Sequence, residues 1–338
     1  MRYNNVHIAS IGYVLPEIEV RTSELEASLS GLYRKMGIKP GWLQAVTGIR
    51  ARRFWGRGTQ PSEVATKAAE IAITKSQIPR EKIGAIISSS VCKDFIEPSV
   101  AALVHGNLGL LPHCTNFDVG NACLGFLSGI MTIADQIELG KIEVGMVVAG
   151  ESSRLPTEAT IDRLQKPEAD MRTFRDNLAT LTLGSAGVAM ILCSPRMAQH
   201  SHRFLGGVAH AATQWSHLCV GTPTKMTTDP TTLLSEGVAL AKRTWIDVNK
   251  EIELMPNKTS EYALHQVGRA NHDAVIQALS IPPNKALRLY IDNGNVGACG
   301  VPLTLAKLIE QGRITKGQKV GLMGIGSGLN VMMMGVEW

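Results

Sequence analysis

Asp118-Val119-Gly120-Asn121-Ala122-Cys123-Leu124-Gly125-Phe126 is the stretch on which the reading of this chain turns. An apolar strand, Thr115 to Val119, runs into a Gly-Asn turn. A helix of small and apolar residues starts there, with a cysteine in its first turn. A helix start carries unpaired N–H donors and a partial positive charge. Both favour thiolate over thiol, and thiolate is the nucleophilic form. The stretch therefore predicts a buried, activated cysteine at a strand-to-helix corner. The plain alternative is packing, because free Cys is among the most buried residue types. The chain has six cysteines, and their spacing shows neither a CxxC pair nor a His/Cys metal pattern. Cys92, Cys114, Cys193, Cys219 and Cys299 read as packing residues, and no metal is assigned.

The same rhythm returns further along. Asn116 to Cys123, a helix ending in Glu138-Leu139-Gly140, and the strand Val144 to Ala149 form one unit. Arg288 to Asn295, a helix ending in Glu310-Gln311-Gly312, and the strand Lys319 to Met323 form the second. The offset of 172 residues between Gly140 and Gly312 carries Cys123 onto Asn295. Upstream, each unit has another corner. Ala85 to Ser90 leads to Asp94, Glu97 and a helix over 100–108, and Tyr262 to Leu264 leads to His265 and a helix over 270–279. Strands alternating with helices predict a mostly parallel α/β sheet, with functional groups at the carboxyl ends of its strands. All four corners are expected to end strands. The halves are expected to divide as 1–198 and 199–338, with an irregular, charged excursion over about 152–182.

Composition narrows the function. With 44% apolar and 19% charged residues, the chain has an ample core and suits a cytoplasmic globular enzyme. A net charge of +5 suits anionic small molecules but lacks the clustered basic run expected for nucleic acid. No signal pattern opens the chain, and no uninterrupted apolar run is long enough for a membrane span.

Each remaining candidate has an ordinary explanation. A lone strand-end histidine such as His265 is more often a satisfied core residue. Asn295, in Asn293-Gly294-Asn295, fits a turn. Glu97 could be a helix-start acid. Those explanations leave open why Cys, His and Asn all fall at strand ends of a duplicated fold. Cys, His and Asn recur as a nucleophile, base and hydrogen-bond donor set. Gly324-Ile325-Gly326-Ser327-Gly328 lacks the Lys-Ser/Thr of a phosphate loop and reads as close packing beneath the site. Arg50-Ala51-Arg52-Arg53 offers three cations for a phosphorylated ligand.

Together these segments resemble the thiolase superfamily, in its ketoacyl-synthase III-like branch. Asn121-Ala122-Cys123, His265-Gln266-Val267 and Asn293-Gly294-Asn295 match its Cys, His and Asn motifs, and Thr47 to Arg53 and Gly324 to Leu329 match its flanking motifs. Within that branch the chain looks most like the OleA-type acyl-CoA-condensing group of bacterial long-chain olefin biosynthesis. The carrying segment is Lys93-Asp94-Phe95-Ile96-Glu97-Pro98-Ser99, with further matches at Ala51 to Trp55 and Phe174 to Gly184. The resemblance implies a duplicated five-layered αβαβα thiolase fold and a homodimer in which Glu97 reaches into the partner's site. It implies a non-decarboxylative Claisen condensation of two long-chain acyl-CoAs. The product would be a 2-alkyl-3-oxoalkanoic acid. Cys123 would carry the acyl group, His265 and Asn295 would stabilise thioester oxygen, and Glu97 would remove the α-proton. Coenzyme A thioesters are the substrates, no further cofactor is expected, and downstream olefin-pathway enzymes are the expected partners. The alternative is a decarboxylative 3-oxoacyl-carrier-protein synthase III using acyl-CoA and a malonyl carrier protein. Trp42, Arg50, Arg52 and Arg53 are the expected coenzyme A contacts. Initiation synthases often pair the Trp with an Arg, and here that position is Val46.

Overall fold

A computed structural model describes residues 1–197 and 200–338. The expected division of the halves at 198/199 lies outside the described residues. The strands in chain order are β1 (His7–Val14), β2 (Ile18–Arg21), β3 (Ala51–Phe54), β4 (Ala85–Ser88), β5 (Thr115–Asp118), β6 (Val144–Glu151), β7 (Ala186–Cys193), β8 (His202–Ala211), β9 (Cys219–Thr222), β10 (Lys225–Thr228), β11 (Glu261–Leu264), β12 (Lys319–Gly326) and β13 (Asn330–Glu337). Nine of them form one sheet in the order β11-β12-β13-β8-β1-β7-β6-β4-β5.

That order contains the duplication. β4 and β6 run parallel, while β6 with β7 and β7 with β1 run antiparallel. β11 and β12 repeat the parallel pair, and β12 with β13 and β13 with β8 repeat the antiparallel ones. The two sets join at a narrow seam where only His7 with Arg203 and Ile8 with His202 pair between β1 and β8.

Burial supplies the layers. β6 and β7 are buried along their whole length, which is why they read as continuous apolar runs rather than alternating ones. On one face lie the helices Pro61–Ser76 and Val100–Asn107, closing an outer core. The helices Gly125–Glu138 and Gly300–Glu310 fill the centre, between the inner faces of both half-sheets. The helices Pro230–Ile252 and Arg269–Ala278 close the opposite face. Helix, sheet, helix, sheet, helix makes five layers. In the central helix Phe126, Leu127, Ile130 and Ile133 are all 1% exposed or less, and such burial stabilises by about 1.5–3 kcal/mol for each large side chain.

Three expectations need correction. The sheet is not mostly parallel: of its eight strand pairings only β11 with β12, β4 with β6 and β4 with β5 are parallel, and the other five are antiparallel because β13, β8, β1 and β7 join the two halves through the middle of the sheet. The excursion is not irregular: it forms the helices Arg154–Leu164 and Met171–Asn177, and Leu164, Phe174 and Leu181 pack on Leu29, Leu32, Tyr33 and Leu43 in a separate small core. The segment before Asn295 is not a strand. Tyr290–Asn293 is a short helix, and only the single bridge from Tyr262 to Ala286 marks the sheet position. Gln266 accounts for this. Its side chain donates to Leu287 O at 2.7 Å and accepts from Tyr290 N at 3.1 Å, replacing the ladder bonds that a neighbouring strand would supply.

Candidate active site

The β5 strand ends at Asp118, whose carboxylate accepts from Val100 and Ala101 N–H and from Lys93. The chain then turns through Ala122, at φ +44°, into a single helical turn Ala122–Leu124 that leads into the long central helix. A non-glycine residue held there costs about 1–3 kcal/mol and marks a backbone fixed for a purpose. Cys123 follows immediately and remains partly accessible. Its sulfur is nonetheless enclosed. Desolvation, then the charges of Cys219 and Glu151, push its thiol up to about 12. The expected activation by the helix start is therefore outweighed, and the resting residue is a thiol.

His265 sits at the end of β11, 7% exposed, with its N–H donating to Met323 O at 2.8 Å. Burial lowers its pKa to about 4, so the ring is neutral at pH 7. Its Nδ1 has no hydrogen-bond partner among the described residues. Asn295 is also 7% exposed. Its backbone is clamped by Thr182 O and Gly184 N, both at 2.8 Å. Its Oδ1 accepts from Gly297 N at 3.0 Å, which orients the amide so that Nδ2 remains to donate.

The glycine-rich run 324–328 and the turn after Asn295 explain how these corners meet. A Cβ on Gly324 would lie 2.5 Å from Leu124 Cδ2 and 3.6 Å from His265 Cβ. The glycine-rich run thus brings the cysteine turn and the histidine strand end together across β12. The turn Gly297–Cys299, just after Asn295, packs on Ala122–Leu124. The corners that carry one thiol, one neutral imidazole and one oriented amide therefore adjoin one another. Donors of that kind, held in a low-dielectric site, stabilise a developing oxyanion.

The other candidates separate. Glu97 is exposed on the loop 91–98. That loop is pinned at its base and bare at its tip. Asp94 accepts from Ser62 N–H and Oγ, Lys93 pairs with Asp118 at 3.0 Å, and Ser99 caps the next helix. Phe95 and Ile96 are 55% and 99% exposed. Arg50 is exposed and paired with Asp292 at 2.6 Å, with Glu19, Arg21, Ser23 and Gln44 around the adjoining cleft. Trp42 is half-buried against Phe174. Arg53 is engaged by Glu19 and Pro16 O.

Arg52 corrects the expected coenzyme A set. It is fully buried, donating to Thr22 Oγ1 and Leu181 O at 2.9 Å each, and desolvation lowers its pKa to about 10. A Cβ added at Gly294 would stand 3.2 Å from Arg52 Cβ. Arg52 is therefore engaged inside the fold, beside the Asn295 corner, rather than offered at the surface as Arg50 is. A short run of cations in sequence does not say which ones a strand turns inward.

Sequence reasoning also missed Glu151. It ends β6 at 3% exposure, and its carboxylate accepts from Val91 N at 2.8 Å, Cys92 N at 3.1 Å and Ala298 N at 3.3 Å. The available signal was a lone acid closing the apolar run Val144 to Gly150.

Known proteins are similar to this chain over its whole length. The thiolase N-terminal domain family matches residues 46–202, and the 3-oxoacyl-[acyl-carrier-protein] synthase III C-terminal family matches residues 250–338. An acyl-CoA:acyl-CoA alkyltransferase of Xanthomonas campestris is 38% identical, with 100% of both chains covered. One of Shewanella oneidensis is 41% identical, again with 100% of both covered. The crystal structure of cerulenin-bound Xanthomonas OleA superposes with a TM-score of 0.98, covering 100% of this chain and 98% of that one, at 38% identity. An OleA structure with bound lauric acid and lauroyl-CoA gives 0.97, covering 99% of this chain and 100% of that one, also at 38% identity. End-to-end identity, a shared fold and the gathered Cys, His and Asn corners lead to one conclusion: this chain belongs to the thiolase superfamily, in its OleA-type acyl-CoA:acyl-CoA alkyltransferase family.

Proposed function

We propose that this enzyme joins two fatty acyl-CoAs by a non-decarboxylative Claisen condensation. In the first step the Cys123 sulfur attacks one acyl-CoA carbonyl. The neutral His265 ring and the Asn295 amide hold the developing oxyanion, and coenzyme A leaves with the proton that the thiol gives up. In the second step a second acyl-CoA loses its α-proton to a carboxylate. Its carbanion attacks the Cys123 thioester, the carbon–sulfur bond breaks, and a β-ketoacyl-CoA forms. Hydrolysis then gives a 2-alkyl-3-oxoalkanoic acid and free coenzyme A.

Glu97 of a second copy of the chain is the base in this reading. The supporting observation is the loop that carries it, anchored at its base and exposing Phe95, Ile96 and Glu97 at its tip. The neighbouring β5 strand is the outer edge of the sheet, and Phe117 on it is 38% exposed. An open edge strand beside exposed apolar side chains fits a symmetric homodimer, which covers both. Coenzyme A thioesters would enter beside Arg50 and Trp42, with no further cofactor. The composition fits a cytoplasmic enzyme, and the likeness to OleA-type relatives fits one that feeds a downstream olefin pathway.

Incubation with a long-chain acyl-CoA alone tests this reading. Free coenzyme A and a β-keto acid, or the ketone it decarboxylates to, are expected. Glu97→Gln should keep acyl loading on Cys123 and lose condensation by about two to four orders of magnitude. Product formed only with a malonyl carrier protein, and equally by Glu97→Gln, would support the decarboxylative synthase instead.

A further inference from the structure

Glu151 is the one buried carboxylate that touches both machineries. Oε1 accepts from Val91 N, at the base of the loop that carries Glu97, and from Ala298 N, in the turn that follows Asn295. Oε2 accepts from Cys92 N. Among the described residues it forms no ion pair, so three backbone N–H groups are its compensation. A carboxylate taken out of water without a counter-charge is costly unless its oxygens are hydrogen-bonded. The surroundings are shaped for it. Gly297 has φ +56°, and a Cβ there would come within 3.2 Å of Glu151 Cδ. The titratable groups around it are the thiols of Cys92, Cys123 and Cys299. Those facing Cys123 are Cys219 and Glu151.

We propose that Glu151 is a positioning residue for two active sites at once, holding the Asn295 turn of its own site and the Glu97 loop that serves the partner's site. It rests on the two-chain reading above. A carboxylate is suited to the task because one group can bind three N–H donors on two separate segments. A neutral amide offers one acceptor oxygen and would turn its NH2 towards a backbone donor. Burial pushes the Glu151 carboxyl up while its N–H donors pull it down; in its ionised form it disfavours a second anion, and so adds to the desolvation and the neighbouring Cys219 that raise the Cys123 thiol.

The test uses the full-length enzyme. Cys123 alkylation by iodoacetamide is followed by peptide mass spectrometry from neutral to alkaline pH. Glu151→Gln should alkylate at lower pH than wild type, about threefold to tenfold faster near neutrality, a shift of up to one pKa unit. Glu151→Asp keeps the charge but shortens the reach. It should leave the alkylation profile in place and lower condensation, and it carries the test where Glu151→Gln does not fold. A partner arm separates the two sites. Mixed dimers of Glu97→Ala with Cys123→Ala chains contain one complete site. Placing Glu151→Gln on the Cys123→Ala chain alters only the loop that donates Glu97. Condensation at the complete site should fall about tenfold or more while acyl loading stays, which a general loss of folding would not produce. An unchanged alkylation profile in Glu151→Gln together with full activity in the mixed dimer overturns the proposal. If the unmodified mixed dimer regains no activity, the two-chain site is what fails. The alkylation and acyl-loading rates of Glu151→Gln then still judge the residue's role in its own site.

Discussion

Gly300 leaves the space in which the His265 imidazole lies: a Cβ added at residue 300 would stand 2.9 Å from Nδ1. Real Cβ atoms do not approach a ring nitrogen so closely, so Gly300→Ala must push the ring aside. A displacement near 1 Å in a catalytic group can cost about a hundredfold. Acylation of Cys123 by acyl-CoA, followed by intact-protein mass spectrometry in a rapid quench, should slow by about that factor. Alkylation of Cys123 by iodoacetamide should keep its wild-type rate. Equal losses in both would mean that the site as a whole has collapsed.

The neutral ring sets a pH behaviour. Burial lowers the His265 pKa from 6.5 to about 4. The ring thus stays uncharged from neutrality down to about pH 4, and the acylation rate should show no inflection near 6.5. Stability has its own sign. The unfolded histidine takes a proton below 6.5 while the folded one does not until about 4. The contribution is therefore fully present above 6.5 and is lost as pH falls towards 4, at up to about 1.4 kcal/mol per pH unit. Urea titrations across that window should show His265→Asn losing less stability than wild type.

Two neighbouring arginines should give opposite phenotypes. Arg52, fully buried and donating to Thr22 and Leu181, should on Arg52→Met cost about 1–3 kcal/mol through the acceptors left unpaired. That would show as a lowered Tm. Arg50 is exposed and paired with Asp292, and surface pairs contribute only about 0–1 kcal/mol. Arg50→Ala should leave Tm nearly unchanged and raise KM for acyl-CoA. A KM effect without a Tm effect in Arg52→Met would reverse these assignments.

The dimer has a direct reporter in Ile96, 99% exposed beside Glu97. Ile96→Glu puts a charge where an apolar contact is expected. Sedimentation velocity should show a shift towards monomer, with condensation falling in step.

How much of this could be read from the chain depended on whether a residue's role was local. The Cys123 corner and the strand of His265 rest on short-range patterning, the repeat that places Asn295 compares two such local patterns, and the strands ending before Cys123 and His265 appear where their residue runs predict them. The helix before Asn295 was hidden because Gln266, distant in sequence, takes over the backbone bonds of a missing strand. Arg52 and Glu151 were misread or missed for a related reason. Both are charged residues whose burial depends on what other segments offer, a carbonyl at Leu181 or an N–H at Ala298. The thiol of Cys123 shows the same limit: a helix start is visible in sequence, but the desolvation that outweighs it is a property of the folded interior.

That raised thiol also bears on how the enzyme survives between turnovers. Peroxides and other oxidants attack cysteine in proportion to its thiolate character and exposure. A cysteine whose thiol is pushed up to about 12 presents very little anion to such reagents. Peroxide should therefore oxidise Cys123 in the resting enzyme more slowly than it oxidises a free, exposed thiol, as peptide mass spectrometry of the sulfenic and sulfinic forms would show.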